Sequence, residues 1–239
     1  MYDLHAHILP GVDDGPASMD VSLEIARAAA KNGTQVMLAT PHRKDVTEDW
    51  SVDHIRSLVD ELNALVQAEG LDFRLLLGME NHLDADLPGE VSAGRALPMN
   101  GSRYILVEMP FFGRPDFIES SLAEVMDLGL VPVLAHPERI EVFQQDVGLL
   151  QQFLALGMLS QITAGSLLGQ WGDEVKAFTV ELLHLGLAHI IASDTHSPQA
   201  PRPPGLAEGA EAAALVVGTA NAQDMVLSTP KAIMENLSF

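Results

Sequence analysis

Nine histidines stand among only 13 lysines and arginines, and most of them fall beside carboxylates in short motifs. These are DLHAH with His5 and His7, VDDG with Asp13 and Asp14, TPH with His42, GME with Glu80, LVE with Glu108, AHPER with His136 and Arg139, and SDTH with Asp194 and His196. Imidazole and carboxylate without a thiolate, since cysteine is absent, form a donor set suited to Mn, Fe or Zn. Ca is disfavoured, because it prefers oxygen ligands alone. On an extended chain His5 and His7 point to the same side, as two ligands of one ion must, and Asp194 and His196 repeat that spacing. Each motif taken singly has an ordinary structural alternative. An HxH pair also suits a polar strand end, Asp13 and Asp14 suit an Asx turn before a helix, and His42 and His136, each beside a proline, suit a plain strand-to-loop turn. Glu80 and Glu108 are harder to place that way, since a carboxylate next to a buried strand needs a compensating charge. The set is too large for one ion. It implies two or three ions bridged by a carboxylate, an arrangement used to hydrolyse phosphate esters.

The elements that must position these residues follow from periodicity. Apolar, β-branched-rich runs predict strands over residues 2–5, 34–40, 73–78, 103–108, 130–135, 159–163 and 188–193. Helix-period stretches lie between and after them, over 18–31, 51–69, 115–128, 148–156, 173–185 and 206–217. The clearest is 51–69, where Ile55, Leu58, Val59, Leu62, Leu65 and Val66 recur at three and four residues and Gly70 stops the helix. Alternating strands and helices predict a parallel sheet, because parallel neighbours need long crossovers. Seven such units in one domain, residues 1–239, fit a seven-stranded α/β barrel better than an open sheet. Every predicted strand but 159–163, which runs into Thr163-Ala164-Gly165, leads into a candidate ligand, and in a barrel those ends converge on one face. His54 and His184 fall on helices instead and read as solvent-facing. His82, two residues beyond Glu80, is open to facing the same site, whereas His189 at the start of the last strand belongs to the opposite, stability side.

Composition narrows the function classes. With 33 acidic against 13 basic residues the formal charge is −20, which makes the chain a poor nucleic-acid binder, and the lack of cysteine excludes a disulfide scaffold. No apolar run approaches the roughly 18 to 20 residues of a membrane span, and the start MYDLHAHIL lacks the basic region of a signal peptide. The expectation is a cytoplasmic protein without membrane insertion. The proline-rich residues 198–205 read as a shaped loop.

In order along the chain, DLHAHILPGVDDGP, ATPH, GME, LVEMPF, LAHPER, QITAGSLLG and ASDTH resemble the PHP superfamily, named for polymerase and histidinol phosphatase. Within it the closest resemblance is to the bacterial capsule-type protein-tyrosine phosphatases, and the LPGxDDG continuation is the most specific part. The resemblance implies a distorted (β/α)7 TIM-like barrel, the PHP fold, with three divalent metal ions, manganese first and iron or zinc as alternatives. One ion would be held by His5, His7, Glu80 and Asp194, a second by Glu80 as bridge with Glu108 and His136, and a third by Asp14, His42 and His196. Asp14 rather than Asp13 is the family-like choice. Arg139 in HPER and Arg202 in APRPP resemble arginines that the family places near the substrate phosphate, and Ser197 stands where the family usually has asparagine. The implied activity is hydrolysis of phosphotyrosine on a protein by a metal-bridged hydroxide. The implied partner is a bacterial tyrosine kinase that controls capsular or extracellular polysaccharide synthesis. Without cysteine, no cysteinyl-phosphate route exists. A small-molecule phosphatase such as a histidinol-phosphate phosphatase, or a non-catalytic metal-binding PHP domain, would use the same residues; a nuclease is disfavoured by charge.

Overall fold

The computed structural model describes residues 1–237, so the last two residues of the predicted 1–239 domain lie outside the described residues. Its strands are β1 (Tyr2–Ala6), β2 (Val36–Ala39), β3 (Arg74–Leu77), β4 (Asn81–His82), β5 (Tyr104–Glu108), β6 (Val131–Ala135), β7 (Leu159–Thr163) and β8 (Ile190–Ala192). The helices predicted by periodicity are α1 (Met19–Lys31), α3 (Val52–Ala68), α5 (Ile118–Asp127), α7 (Val147–Ala155), α9 (Asp173–His184) and α10 (Leu206–Val217). Shorter helices fill the connections: α2 (Arg43–Asp49), α4 (Leu87–Ser92), α6 (Glu141–Gln145), α8 (Ala164–Leu167), α11 (Thr219–Asp224) and α12 (Ser228–Met234). The sequence reading passed over these because fewer than two full turns carry no legible period.

All strand pairs are parallel, in the orders β1-β2-β3 and β4-β5-β6-β7-β8. The single strand predicted over 73–78 is therefore only part of a longer edge, and the chain changes neighbours at its end. Gly78 N still donates to Ala39 O at 2.9 Å and Glu80 N to Pro41 O at 3.2 Å, but Leu83 N already donates to Glu108 O at 2.8 Å. Glu80 sits at this changeover. The other edges of the two sheets meet beyond β8, where Asp194 N donates to His5 O at 2.9 Å and His7 N to Thr195 O at 2.8 Å.

Both faces of the sheets are covered, as the continuous apolar runs demand. On the inside, Leu4, Leu38, Leu106, Val133, Ala135 and Ile190 form one buried cluster. Outside, Ile25, Ala26, Ile55 and Leu62 of α1 and α3 pack on Met37, Ala39 and Leu75, while Leu122, Phe153 and Leu182 cover Ile105, Leu134 and Ile162. The apolar stripe of α3 follows its spacing: Ile55, Val59, Leu62 and Val66 are buried, and the Ser51 side chain caps the first turn by accepting from His54 N at 3.2 Å. Segments after α11 close the N-terminal ends of the strands, with Tyr2 N donating to Val226 O and Ile191 N to Met225 O. No helix among the described residues is long and apolar enough to cross a membrane.

One close approach fixes α10 against the strand-end helix α8. A Cβ on Gly209 would lie 2.4 Å from Ala164 Cβ and 2.8 Å from Ala164 Cα, and backbone cannot yield as a flexible side chain can. Gly209→Val is expected to destabilise the protein by about 1–3 kcal/mol through overpacking. Chemical denaturation checks this, and an unchanged midpoint would show that α10 is free to shift.

Candidate metal centre

The strand ends and the turn that carries Asp14 gather the candidate ligands into one cluster, buried except at Asp14 and His42. Glu80 is at its centre, with His5 Nε2 at 3.2 Å, His7 Nε2 at 3.3 Å, His42 Nδ1 at 3.0 Å and His136 Nε2 at 3.0 Å from its carboxylate. Asp194 Oδ1 approaches His5 Nε2 at 3.4 Å and His7 Nε2 at 3.7 Å. Glu108 Oε1 lies 3.6 Å from His136 Nε2. On the outer side, Asp14 Oδ1 is 3.1 Å from His196 Nε2 and 3.6 Å from His42 Nε2. Ligand atoms of His5, His7 and Glu80, of His7, Asp194 and His196, of His7, Asp14 and His42, and of His42, Glu80 and Glu108 each fall within one ion's reach.

Local backbone explains how short motifs achieve this. His5 and His7 share a side because they alternate on β1 and its extension. Two ligand-type residues instead leave their strands in the left-handed region, His136 at φ 34° after β6 and Asp194 at φ 54° after β8. A non-glycine residue there carries about 1–3 kcal/mol of strain, which the surrounding hydrogen bonds must hold. His136 N is fixed by Gln161 O at 2.7 Å and Asp194 N by His5 O at 2.9 Å.

Two orienting groups decide the tautomers. Gln161 Oε1 on β7 sits 2.8 Å from His5 Nδ1, its amide nitrogen being committed to Ile162 O, and Asp13 Oδ2 sits 2.7 Å from His7 Nδ1. Both Nδ1 atoms are therefore the donors, which turns the Nε2 lone pairs of neutral His5 and His7 toward each other at 3.2 Å. Facing lone pairs need a cation between them, so the residues present fit a divalent metal. The DD pair is thereby divided. Asp13 is buried behind His7 and also accepts from Gly15 N and His42 N, while Asp14, 60% exposed, faces His42 and His196. Gln161 was missed in the sequence, where its only signal is a polar residue inside the apolar run LSQIT.

The charges fit the same reading. Burial alone would lower the His7 pKa, but Asp13 and Glu80 overcome it and push it up to about 10. For His42 burial is likewise outweighed, by the hydrogen bond and charge of Glu80, and its pKa rises to about 9. Burial would raise Glu80 and Asp194, yet the charge of His5 and, for Asp194, Arg202 hold both low. Cations are thus demanded at this spot, whether protons or metal.

Both candidate arginines reach the cluster. Arg139 Nη1 is 2.9 Å and Arg202 Nη2 2.7 Å from the same Asp194 Oδ2, and Arg202 Nη1 is 3.7 Å from Asp14. His82 lies 3.4 Å from Glu108 Oε2 at the edge of the site. His184 is exposed on its helix as expected, but His54 is half-buried with its ring stacked on Trp50, and His189 takes the Ser160 amide at 3.2 Å away from the cluster. Ser197 turns its hydroxyl to Gln199 O at 2.5 Å.

Comparison with known proteins places this arrangement. The family described as capsular polysaccharide synthesis, CpsB/CapC, matches residues 1–235. Tyrosine-protein phosphatase YwqE of Bacillus subtilis is 35% identical over 197 residues, 82% of this chain and 78% of the relative. Tyrosine-protein phosphatase CpsB of Streptococcus agalactiae is 25% identical over 241 residues, 99% of each chain. A crystal structure from work on Bacillus subtilis YwqE and Streptococcus pneumoniae CpsB, described as metal-dependent tyrosine phosphatases, is 31% identical. It superposes with a TM-score of 0.91 over 100% of this chain and 96% of its own.

Two expectations follow from the geometry. Gln161→Leu leaves His5 without its orienting acceptor and should weaken divalent-metal binding by about 10–100-fold, read by metal titration, without loss of the far-ultraviolet helix signal. His7 and His42 bind their protons more tightly folded than unfolded, so this stabilisation is complete below about pH 6.5 and is lost as pH rises through about 9 and about 10. Chelator-treated protein should accordingly melt at falling temperature across that window; a melting temperature that rises with pH there would refute the assignment.

Proposed function

Because the chain belongs to the CpsB/CapC family of capsular polysaccharide synthesis, we propose that it is a metal-dependent phosphomonoesterase that removes phosphate from tyrosine in proteins. The observation that carries the reading is the convergence of His5, His7, Asp14, His42, Glu80, Glu108, His136, Asp194 and His196 on one cluster with two guanidinium groups at its mouth. The span of the family match supports a single domain. The β1 contact with the residues after β8 supports a distorted (β/α)7 barrel, with β3 and β4 as one interrupted strand.

Three divalent ions, manganese foremost, are the complement this ligand set suits. The first would take His5, His7, Glu80 and Asp194; Glu80, Glu108 and His136 would hold the second; Asp14, His42 and His196 the third. Bound there, divalent ions supply Lewis acidity toward the phosphoryl oxygens and a nucleophilic water at neutral pH. The chain's own groups do the rest. Gln161 and Asp13 keep His5 and His7 in the tautomer that presents Nε2 inward. Arg139 and Arg202 offer planar forks matched to the non-bridging phosphate oxygens, and substrate phosphate would displace them from Asp194. A tyrosyl leaving group, with a parent pKa of about 10, departs with little help from a general acid. The family's link to capsule synthesis supports a tyrosine kinase of that system as the protein partner.

Manganese-loaded protein should release phosphate from phosphotyrosine peptides and lose that activity in chelator. His136→Ala should lower kcat by more than about 100-fold, exceeding the loss typical of an orienting residue. Stronger turnover of histidinol phosphate than of phosphotyrosine peptide would overturn the substrate.

A further inference from the structure

Two like charges crowd one oxygen in this site. Arg139 and Arg202 both contact Asp194 Oδ2, and a single carboxylate oxygen does little to fix the planes of two guanidinium groups. An aromatic side chain lies against both. The Arg139 Cζ stands 4.4 Å from the centroid of the Trp171 ring, and the Arg202 Cζ 5.6 Å from the same ring. Arg139 also meets Phe111 at 5.1 Å, and Phe111 stacks on His136 with centroids 5.4 Å apart. The electron-rich face of an indole attracts guanidinium and offsets the repulsion between the two.

Trp171 is 37% exposed, and the backbone that carries it is constrained. It lies in the turn between α8 and α9, flanked by Gly169 at φ 83° and Gly172 at φ 92°, positions that ordinary side chains would strain. Gln170 N donates to Gly165 O at 2.9 Å, and the Gln170 side-chain amide donates to Pro201 O. A Cβ on Gly165 would come within 2.2 Å of Gln170 Oε1, so a side chain there would push the Gln170 amide from its present place. The Gln170 link joins the tryptophan turn to the loop that carries Arg202. That loop is pinned in turn by His196 N, Ser197 N and Thr195 Oγ1, all donating to Arg202 O at 2.9–3.2 Å. The turn after β7, the strand whose end carries no candidate ligand, is thereby built into the arginine pair.

We infer that Trp171 is a positioning residue: its indole holds the guanidinium groups of Arg139 and Arg202 side by side so that they grip the phosphoryl group together. This rests on the phosphomonoesterase reading above and deepens it, because it assigns the tryptophan to the phosphate and not to the tyrosyl ring.

The test uses manganese-loaded full-length protein, with inorganic phosphate as the probe in calorimetry and as a competitive inhibitor. Loss of two cation–π contacts in Trp171→Ala should raise the phosphate Kd, its inhibition constant and KM together by about tenfold, with kcat within about threefold. The same factor should apply to aryl and alkyl phosphomonoesters, and Trp171→Phe should recover most of the loss. Unchanged phosphate affinity in Trp171→Ala overturns the inference. So does an effect confined to aryl substrates, which would place the ring against the leaving group. Wild-type protein that binds phosphate but hydrolyses no phosphomonoester would sink the proposed function while leaving the calorimetric comparison to decide the role of Trp171. If the wild type binds no phosphate, both fail.

Discussion

A buried carboxylate that cannot be left uncompensated governs this structure. Glu80 is 1% exposed, at the point where the chain passes from one sheet to the next, and four imidazoles converge on it. An isolated ionised carboxylate in that position would be prohibitively costly. The imidazoles around Glu80 bring positive charge to it, as protons on His7 and His42 or as divalent cations, and the two compete for the same lone pairs.

Several local irregularities become intelligible from that requirement. His136 and Asp194 occupy the left-handed region where their strands end, and the strain redirects their side chains into the cluster. The edge changes neighbours at Glu80, which still pairs with His42 in continuation of the β2–β3 register, while Asn81 already pairs with Val107 of β5. Asp13 and Gln161 do not enter the cluster at all. They stand behind His7 and His5 and settle which nitrogen faces inward, a choice on which any cation binding depends. The same economy extends to the rim, where Asp194 is approached by imidazole on one oxygen and by two arginines on the other.

Much of the candidate site was legible in the chain because its residues fall at the ends of strongly apolar runs. LVE and LLLGME each place a carboxylate after a stretch that has to be buried, and HxH and DxH each put alternate residues on one side of an extended backbone. What could not be read was which of two adjacent aspartates faces the cluster. Asp13 and Asp14 have equal chemistry, and only the turn, in which Asp13 accepts from Gly15 N and His42 N, buries one and exposes the other. Gln161 and Trp171 were invisible for a related reason. A lone glutamine in a strand and a tryptophan between two glycines have no periodic signature, and their importance comes from partners 156 residues away for Gln161 and, for Trp171, from arginines on two other segments.

The sequence by itself determined the alternation of strands and helices, the burial of both strand faces and the identity of the metal-capable residues, since these depend on side-chain type and short-range spacing. The helices too short to show a period, the division of one strand into two and the pairing of Asp13 with His7 were decided by tertiary structure alone. So was the meeting of Trp171 with Arg139 and Arg202. The physical reason is common to all of them: each depends on contacts between segments distant in the chain, where burial and charge compensation override local preference.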